Sequence, residues 1–306
     1  MGDSASSLPP EALQTSARPQ IGAVARPAPF LRWAGSKRQH SAVITTLWNS
    51  RPMPRYVEPF AGSAAVFFAI DPRAALLADL NEELVRTFQT IRTFPTLVAD
   101  AMGHFAFGRE AYYRVRALVP ESLTCVERAA RFIYLNRFCF NGLYRTNRCG
   151  RFNVPYGAPK TNNLPDQEGL AQCATALATA EIICADFRSS LAQARPGDFV
   201  YLDPPYAVRQ RRVFREYDAH AFSAKDLVDL ASSLTALDRI GAYFVLSYAD
   251  CREGRLLATD WQWRRVRVRR HVAGFSSKRR NHYELFVSNH PDFLTVVRQH
   301  RKRRGK

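Results

Sequence analysis

One tetrapeptide of this chain places a carboxylate, two prolines and an aromatic ring directly after an apolar run. It reads Asp203-Pro204-Pro205-Tyr206 and follows residues 199–202, which have the composition of a buried strand. Proline fixes φ and restrains the residue before it, so the Asp203 carboxylate and the Pro204 carbonyl are two acceptors in a stiff geometry. An exocyclic amine such as N6 of adenine becomes a better nucleophile when acceptors hold its hydrogens, and Tyr206 offers a π-face to a flat base. The pattern predicts a clamp for a base amine; the alternative is a Pro-Pro turn beside a surface Asp.

A second constellation lies upstream, where an apolar run meets a turn of small residues. Residues 56–68 have the pattern of a short strand, a tight turn around Gly62 and a helix start, which lets a ligand approach backbone N–H groups. The next apolar run ends at Asp79, 17 residues after Gly62 and near the ~20 expected for an acid that binds a ribose. A single glycine is not the dinucleotide fingerprint, so a ligand without pyrophosphate is favoured over NAD. The alternative role for Asp79 is the N-cap of a helix whose first turn holds residues 81–83.

Two further segments gather aromatic, amide and basic side chains around glycines. Residues 30–38 place Trp33, Gly35 and Lys37 before any predicted strand. Residues 135–157 are dense in Asn, Arg and aromatic residues, and such side chains recognise base edges, Arg on guanine and Asn on adenine. The longer segment predicts a surface that recognises bases; the alternative is a hydrogen-bonded structural loop.

Taken in order, these segments resemble the Dam-type DNA adenine methyltransferases, an alpha-group family of amino-methyltransferases, over residues 30–289. The resemblance implies S-adenosylmethionine as cofactor and assigns three sets of residues. The set implied to bind the cofactor is Trp33, Lys37, Glu58, Phe60, Gly62, Asp79 and Asp186. The set implied to be catalytic is Asp203, Pro204, Pro205 and Tyr206. The set implied to contact DNA is Arg32, Phe140, Asn141, Leu143, Arg145 and Pro155.

The charge of the chain favours a nucleic-acid partner. There are 44 Lys and Arg residues against 27 Asp and Glu, a formal net charge of +17. The excess is clustered in residues 209–212, 264–270, 278–280 and 301–304, and such clusters suit phosphates, although a charged run is often only a solvated face. We therefore expect a nucleic-acid partner, which the resemblance implies to be double-stranded DNA, and we expect the last cluster to be a flexible tail.

Length and hydropathy set further bounds. With 306 residues, of which 46% are hydrophobic, the chain can bury one sizeable core and a smaller lobe. No run approaches the ~20 apolar residues of a membrane span, and no compact apolar signal core is present, so a soluble, intracellular protein is expected. The resemblance implies a cytoplasmic, nucleoid-associated protein of bacterial or phage origin. Six cysteines without a Cys-x-x-Cys pair predict reduced thiols in or near the core and no metal site. A monomer is expected, or a dimer on DNA.

Strand-like and helical runs alternate along much of the chain, which predicts an α/β fold with a mostly parallel, Rossmann-like methyltransferase sheet. The predicted strands are 56–60, 75–78, 181–184, 199–202, 242–247 and 283–288, and the predicted helices include 63–70, 82–91, 127–137 and 224–237. An inserted, mainly helical target-recognition lobe interrupts the alternation. The predicted divisions are a disordered arm at 1–28, a catalytic domain at 29–94 and 166–290, the lobe at 95–165 and a basic tail at 291–306.

These observations predict a site-specific DNA adenine N6-methyltransferase that acts on a flipped-out adenine. The resemblance suggests GATC as the recognition sequence and leaves a restriction partner open. Three alternatives stay open: a cytosine N4-methyltransferase, an RNA adenine methyltransferase, and a DNA-binding regulator that kept the fold and lost catalysis. The intact turn and tetrapeptide argue against the regulator.

Overall fold

The computed structural model of the protein describes residues 26–33, 40–159, 161, 163–206, 222–268 and 282–304, with the backbone alone at 267, 268, 282 and 301–304. Within these residues seven strands form one sheet in the order β3-β2-β1-β4-β5-β7-β6. The strands are β1 (Tyr56–Glu58), β2 (Ala75–Asp79), β3 (Ala180–Cys184), β4 (Phe199–Leu202), β5 (Tyr243–Ala249), β6 (Gln262–Val268) and β7 (His282–Ser288). The first five strands of the sheet are parallel, and β7 runs antiparallel between β5 and β6. This confirms the predicted α/β fold.

Helices cover both faces of this sheet. They are α1 (Ser41–Trp48), α2 (Ala65–Ile70), α3 (Glu82–Thr93), α4 (Pro95–Gly103), α5 (Arg109–Ala117), α6 (Cys125–Phe138), α7 (Gln167–Leu177), α8 (Phe187–Leu191), α9 (Ala224–Arg239), α10 (Arg252–Leu257) and α11 (Phe293–Arg304), with short 3₁₀ helices at Pro120–Ser122 and Phe140–Gly142. Because both faces are covered, the central strands are largely buried, and all four residues of β4 are apolar or aromatic and buried.

Each face of the sheet packs against its own apolar core. One core joins Tyr56, Leu77 and Tyr201 to the helices α1–α4, α6, α7 and α11. The other joins Val57 and Val200 to α8, α9 and α10. A third cluster lies in the lobe, between α5, α6 and the segment that follows α6. The third cluster adjoins the main core, because α6 contributes residues to both.

Arg128 and Arg131 fix α6 to the neighbouring helices, and a capping box stabilises the start of α6. The Arg128 guanidinium forms an ion pair with Glu83 of α3, with Nε 2.9 and 3.0 Å from the two carboxylate oxygens. The helix begins with a capping box, in which Thr124 and Glu127 satisfy each other's backbone N–H groups. Arg131 is buried and donates to the carbonyls of Val115 and Arg116, so it satisfies the carboxyl end of α5.

Several sequence-based expectations need correction. The basic cluster at 301–304, predicted to be a flexible tail, forms the end of α11, whose Phe293, Val296 and Val297 give the helix an apolar face that is buried in the main core. The basic run at 264–270, whose alternation of Arg with Val is typical of one face of a strand, is not among the predicted strands; residues 262–268 form β6 at the edge of the sheet. Three cysteines predicted to lie near the core are exposed instead: Cys125, Cys149 and Cys184. The predicted arm lies outside the described residues up to residue 25.

Candidate active site and nucleic-acid interface

The parallel strands bring the predicted cofactor turn and the predicted catalytic tetrapeptide to one edge of the sheet. β1 lies between β2 and β4, and the carboxyl ends of these strands carry the Gly62 turn, Asp79 and Asp203 respectively. The chain order of the strands reverses between β1 and β4, since β2 and β3 lie on one side and β4 and β5 on the other. In open α/β sheets, ligands bind outside the carboxyl ends of strands at such a switch point.

The turn after β1 requires glycine at its centre. Gly62 has φ +50°, and a Cβ added there would lie 2.8 Å from Cδ1 of Trp33. Asp79 ties this turn to β2, because its carboxylate accepts from the backbone N–H of Gly62 at 3.0 Å and from that of Asn81 at 2.9 Å. Asn81, and not Asp79, caps α3 by accepting from the N–H of Leu84. The N-cap alternative for Asp79 is therefore wrong.

Asp79 retains capacity for a ligand. Burial raises the pKa of its carboxyl, and the hydrogen bonds from Asn81 and Gly62 oppose that shift. Each carboxylate oxygen accepts one backbone N–H, and a carboxylate offers about four lone-pair positions. Hydroxyl donors can therefore bind beside the two backbone groups.

A buried carboxyl lies at the end of β1. Glu58 is buried, and its Oε2 has no hydrogen-bond partner among the described residues. Burial raises the pKa of Glu58 well above its usual range, and the nearby charges of Asp203 and Asp79 act in the same direction. Tyr201 lies close to the same carboxyls, and its buried hydroxyl also lacks a partner in the described part of the chain. Unsatisfied buried oxygens at a sheet edge suit a ligand that brings hydrogen-bond donors.

Three phenylalanine rings form an apolar wall beside Asp186. The rings of Phe60 and Phe187 are stacked, with centroids 5.4 Å apart and 29° between the planes, and Phe222 contacts both. Asp186 caps α8 by accepting from the N–H of Arg188. Sequence reasoning named Phe60 and Asp186 but missed the other two rings. The adjacency of Phe187 to Asp186 was an available signal, whereas Phe222 had none.

Arg188 holds the wall and Asp186 together. Its guanidinium lies over the Phe187 ring at 4.4 Å and pairs with Asp186 at 3.0 Å. It also pairs with Asp226 and Asp229 of α9, and these carboxylates raise the pKa of Arg188 above its usual value. Asp186 is thus fixed in place, and sequence reasoning did not identify the arginine that fixes it.

The tetrapeptide follows β4 with its acceptors at the sheet edge. Asp203 and Tyr206 are half-buried and Pro204 is buried. The Tyr206 hydroxyl donates to Oε1 of Glu284 at 2.8 Å, and its ring packs edge-to-face on Tyr248. The basic run at 209–212 that follows lies outside the described residues, as does 278–280.

The N-terminal segment joins the cofactor turn to the lobe. Trp33 packs on Gly62 and stacks on Tyr144, with centroids 6.1 Å apart and 18° between the planes. The side-chain amide of Asn136 binds both backbone groups of Arg32, accepting from its N–H at 2.8 Å and donating to its carbonyl at 2.6 Å. Lys37, predicted to bind the cofactor, lies outside the described residues.

The predicted DNA contacts beyond Arg32 lie on one irregular hairpin, residues 139–157, which we call the target hairpin. Its arms meet at two antiparallel bridges, Cys139 with Tyr156 and Thr146 with Phe152. The N–H of Phe140 donates to the carbonyl of Pro155, which places two of the predicted residues opposite each other. The exposed members of the set are Arg32, Phe140, Asn141, Arg145 and Pro155, and Leu143 is half-buried.

Arg145 is oriented within the target hairpin by a residue that sequence reasoning did not name. Its Nε donates to the side-chain oxygen of Asn153 at 2.7 Å, and Nη2 lies 3.4 Å from the Asn153 carbonyl. Arginine has five N–H donors in a planar fork, so donors remain for another acceptor. The hairpin therefore presents an exposed, oriented guanidinium.

The described residues contain no group of His, Cys, Asp or Glu side chains that could hold a metal ion. Among the same residues, no helix is long and apolar enough to cross a membrane.

Comparison with known proteins gives a consistent set of relatives. A family model described as D12 class N6 adenine-specific DNA methyltransferase matches residues 33–272. The chain is 31% identical over 271 residues to the type II methyltransferase M1.LlaDCHI of Lactococcus lactis subsp. cremoris, covering 86% of this chain and 95% of the relative. It is 33% identical over 264 residues to the Retron Ec67 DNA adenine methylase of Escherichia coli, covering 84% and 90%. It is 32% identical over 268 residues to a DNA adenine methylase of Haemophilus influenzae, covering 85% and 92%.

Proposed function

The chain belongs to the D12 class of N6 adenine-specific DNA methyltransferases, and on that premise we propose how its residues bind the cofactor, the target adenine and the DNA. The chain is a DNA adenine methyltransferase. The adenine-specific DNA family favours this activity over the cytosine N4 and RNA alternatives. The observation that carries the residue assignments is the meeting of the Gly62 turn, Asp79 and the Asp203 tetrapeptide at one sheet edge.

We propose S-adenosylmethionine as the cofactor, which when bound supplies an electrophilic methyl group whose leaving group is neutral. Asp79 accepts hydrogen bonds from the ribose hydroxyls, and Gly62 allows close approach at the turn. The unpartnered oxygen of Glu58 is an acceptor for the cofactor's ammonium group. Two further proposed cofactor residues, Trp33 and Lys37, belong to the N-terminal segment.

The apolar wall fits the adenine ring of the cofactor. Phe60 and Phe187 provide flat apolar faces, and the Asp186 carboxylate lies at the edge of that wall as an acceptor for an exocyclic amine. Arg188 keeps the acceptor in position.

The tetrapeptide acts on the target base. The Asp203 carboxylate and the Pro204 carbonyl each accept a hydrogen bond from the N6 amine. These two bonds localise the nitrogen lone pair for attack on the methyl group. Pro205 stiffens the backbone, and Tyr206 stacks on the flipped adenine. Orientation supplies a large part of the rate gain.

The lobe at 95–165 and its target hairpin are proposed to recognise the DNA sequence. Arg145 is oriented to contact a guanine edge, and Asn141 is exposed at the tip of a tight turn with φ +56°. Phe140, Leu143 and Pro155 add apolar surface, and Arg32 reaches the DNA from the neighbouring segment. We propose GATC as the recognition sequence, on the resemblance to Dam-type enzymes.

Expression in a methylation-free host, followed by modification-sensitive sequencing, tests the activity and the sequence together. We expect N6-methyladenine in one short motif, and its loss in Asp203→Ala. Glu168→Gln, which alters an exposed carboxylate on α7, is the control and should retain methylation.

Titration of purified Asp203→Ala with S-adenosylmethionine separates catalysis from cofactor binding. We expect retained affinity, because the proposed cofactor contacts lie on other residues. A wild-type methylation rate in Asp203→Ala would refute its role. Methylation at a motif other than GATC would refute the proposed sequence alone.

A further inference from the structure

Glu284 places a carboxyl inside the sheet at a position where strand pairing needs none. It lies on β7, pairs in register with Ala249 of β5, and is only 2% exposed. The next residues of its strand, Leu285 to Val287, are apolar and buried. The ladder is made by backbone groups, so an apolar side chain would preserve it. A buried carboxyl costs free energy unless its oxygens are hydrogen-bonded, so its partners indicate its purpose.

Both oxygens of Glu284 accept hydrogen bonds, one from the sheet and one from the tetrapeptide. Oε2 accepts from the hydroxyl of Ser247 at 3.2 Å, and Ser247 is fully buried on β5. Oε1 accepts from the hydroxyl of Tyr206 at 2.8 Å. The carboxyl is therefore oriented by the rigid sheet and in turn holds the end of the Tyr206 side chain. These residues are 78 positions apart in sequence.

Among the described residues, contacts with Glu284 and Tyr248 fix the plane of the Tyr206 ring. The phenolic oxygen lies on the axis about which the ring rotates, so the bond to Glu284 fixes the direction of that axis but not the rotation. Tyr248 limits the rotation, because its buried ring meets that of Tyr206 edge-to-face, with centroids 5.1 Å apart and 66° between the planes. The prolines constrain the backbone only, so the side chain needs these contacts to hold one orientation.

We propose that Glu284 is a positioning residue, which holds the ring of Tyr206 in the orientation that receives the flipped adenine. This inference rests on the proposed stacking role of Tyr206. The ring is held before the base arrives, so capture of the base does not require the side chain to become ordered. Ser247 supports the same arrangement by holding the second oxygen of Glu284.

The test compares four proteins: wild type, Glu284→Leu, Tyr206→Phe and the double variant. Single-turnover methylation is measured on a duplex with the target adenine, and fluorescence on one that carries 2-aminopurine at that position. Glu284→Leu and Tyr206→Phe should each slow methyl transfer about tenfold, the scale of one lost hydrogen bond. Each should also raise the fluorescence of the bound duplex, because a loosened ring stacks less and quenches less.

Non-additivity distinguishes positioning from a general effect on the fold. In the Tyr206→Phe background, Glu284→Leu should cause no further loss of rate, because the hydroxyl through which it acts is gone. Glu284→Gln, which keeps an acceptor for the hydroxyl, should recover part of the rate. Asp198, which pairs with the buried Arg55, provides the control for loss of a buried carboxylate: Asp198→Asn should lower the melting temperature and leave the rate and fluorescence of the folded protein unchanged.

Different results would contradict the role of Glu284 and the stacking role of Tyr206. Equal losses from Glu284→Leu in both backgrounds would show that Glu284 supports the fold and would overturn the inference. If Glu284→Leu does not fold, Tyr206→Phe decides alone, and wild-type rate and fluorescence in that variant would overturn it. An undiminished rate in Tyr206→Ala would instead refute the stacking role on which the inference rests.

Discussion

At the scale of single residues, Asp79 holds the turn after β1 and is also the proposed ligand of the cofactor's ribose. Its oxygens accept the backbone N–H groups of Gly62 and Asn81, which fixes the turn against β2. The proposed ribose contact uses the remaining lone pairs of the same oxygens. A substitution at this position should therefore affect stability as well as cofactor affinity.

We expect Asp79→Ala to weaken S-adenosylmethionine binding by roughly 1.5–3 kcal/mol, the range for hydrogen bonds to a charged group. It should also lower the melting temperature, because two backbone N–H groups lose their acceptor. Calorimetric titration and thermal unfolding measure the two effects. Glu82→Ala, on the exposed face of α3, is the control and should change neither. Unaltered cofactor affinity in a destabilised Asp79→Ala would leave the residue with a structural role only.

Arg145 is the residue whose environment best separates base recognition from phosphate binding. Its guanidinium is exposed but held by Asn153, whereas the Arg86 guanidinium on α3 pairs with Glu82 on an ordinary helix surface. Arg145→Ala should cost about 1–3 kcal/mol at the cognate site and much less on random DNA. Arg86→Ala should leave the discrimination unchanged. Competition binding at several salt concentrations decides the matter, and equal losses on both duplexes would make Arg145 a backbone contact.

At the scale of elements, α11 changes what removal of the C-terminal region is expected to do. The helix buries Phe293, Val296 and Val297 in the main core, and Asp292 before it forms an ion pair with Arg51. Its basic residues belong to an element that also supports the fold. Truncation therefore cannot serve as a simple test of charge.

We expect truncation after Asn289 to lower the free energy of unfolding by several kcal/mol, because it exposes core surface now covered by three buried apolar side chains. Urea denaturation measures the loss. The single variant Val296→Ala should show a smaller loss of the same kind, whereas Arg298→Ala, on the exposed face, should not. A truncated protein as stable as the full chain would show that α11 contributes little to the core.

The target hairpin and the N-terminal segment also act as connected elements. Asn136 of α6 binds the backbone of Arg32, and Trp33 beside it contacts both the Gly62 turn and Tyr144 of the target hairpin. The proposed cofactor site and the proposed DNA surface therefore share a packed boundary.

At the scale of the whole molecule, one buried histidine gives stability a dependence on pH. His290 lies between β7 and α11 with its Nδ1 accepting from the N–H of Asp292, and burial lowers its pKa to about 4. Asp292 raises that pKa and Arg51 lowers it, both by smaller amounts. The folded state therefore holds the neutral ring, whereas the unfolded chain protonates near its ordinary pKa of 6.5.

The stabilisation from the neutral ring is present above pH 6.5 and is lost as the pH falls from 6.5 towards 4, by up to about 3 kcal/mol. His290→Asn keeps an acceptor for Asp292 and cannot protonate, so its free energy of unfolding should fall less over this range. Urea denaturation at pH 7.5, 5.5 and 4.5 compares the two proteins. Parallel pH profiles would contradict the assignment of this loss to His290.

The sequence by itself determined the family, the fold class and the order of the motifs. These features depend on local patterns: β4 occupies the predicted residues 199–202, and the Gly62 turn and the tetrapeptide follow their strands as predicted. The family match confirms the predicted activity, that of a DNA adenine methyltransferase. The roles of individual site residues stay predictions. Lys37 and residues 209–212 lie outside the part of the chain that the structure describes.

Only the tertiary structure decided which distant residues support the site. Glu284 reaches Tyr206 because β7 inserts beside β5, and Asn136 reaches Arg32 across 104 positions because α6 packs on the main core. A strand pattern shows which residues are apolar or polar, but strand order is set by packing over the whole sheet. The same reason applies to α11: its basic residues indicated a tail, and only the structure shows that its apolar face packs in the main core.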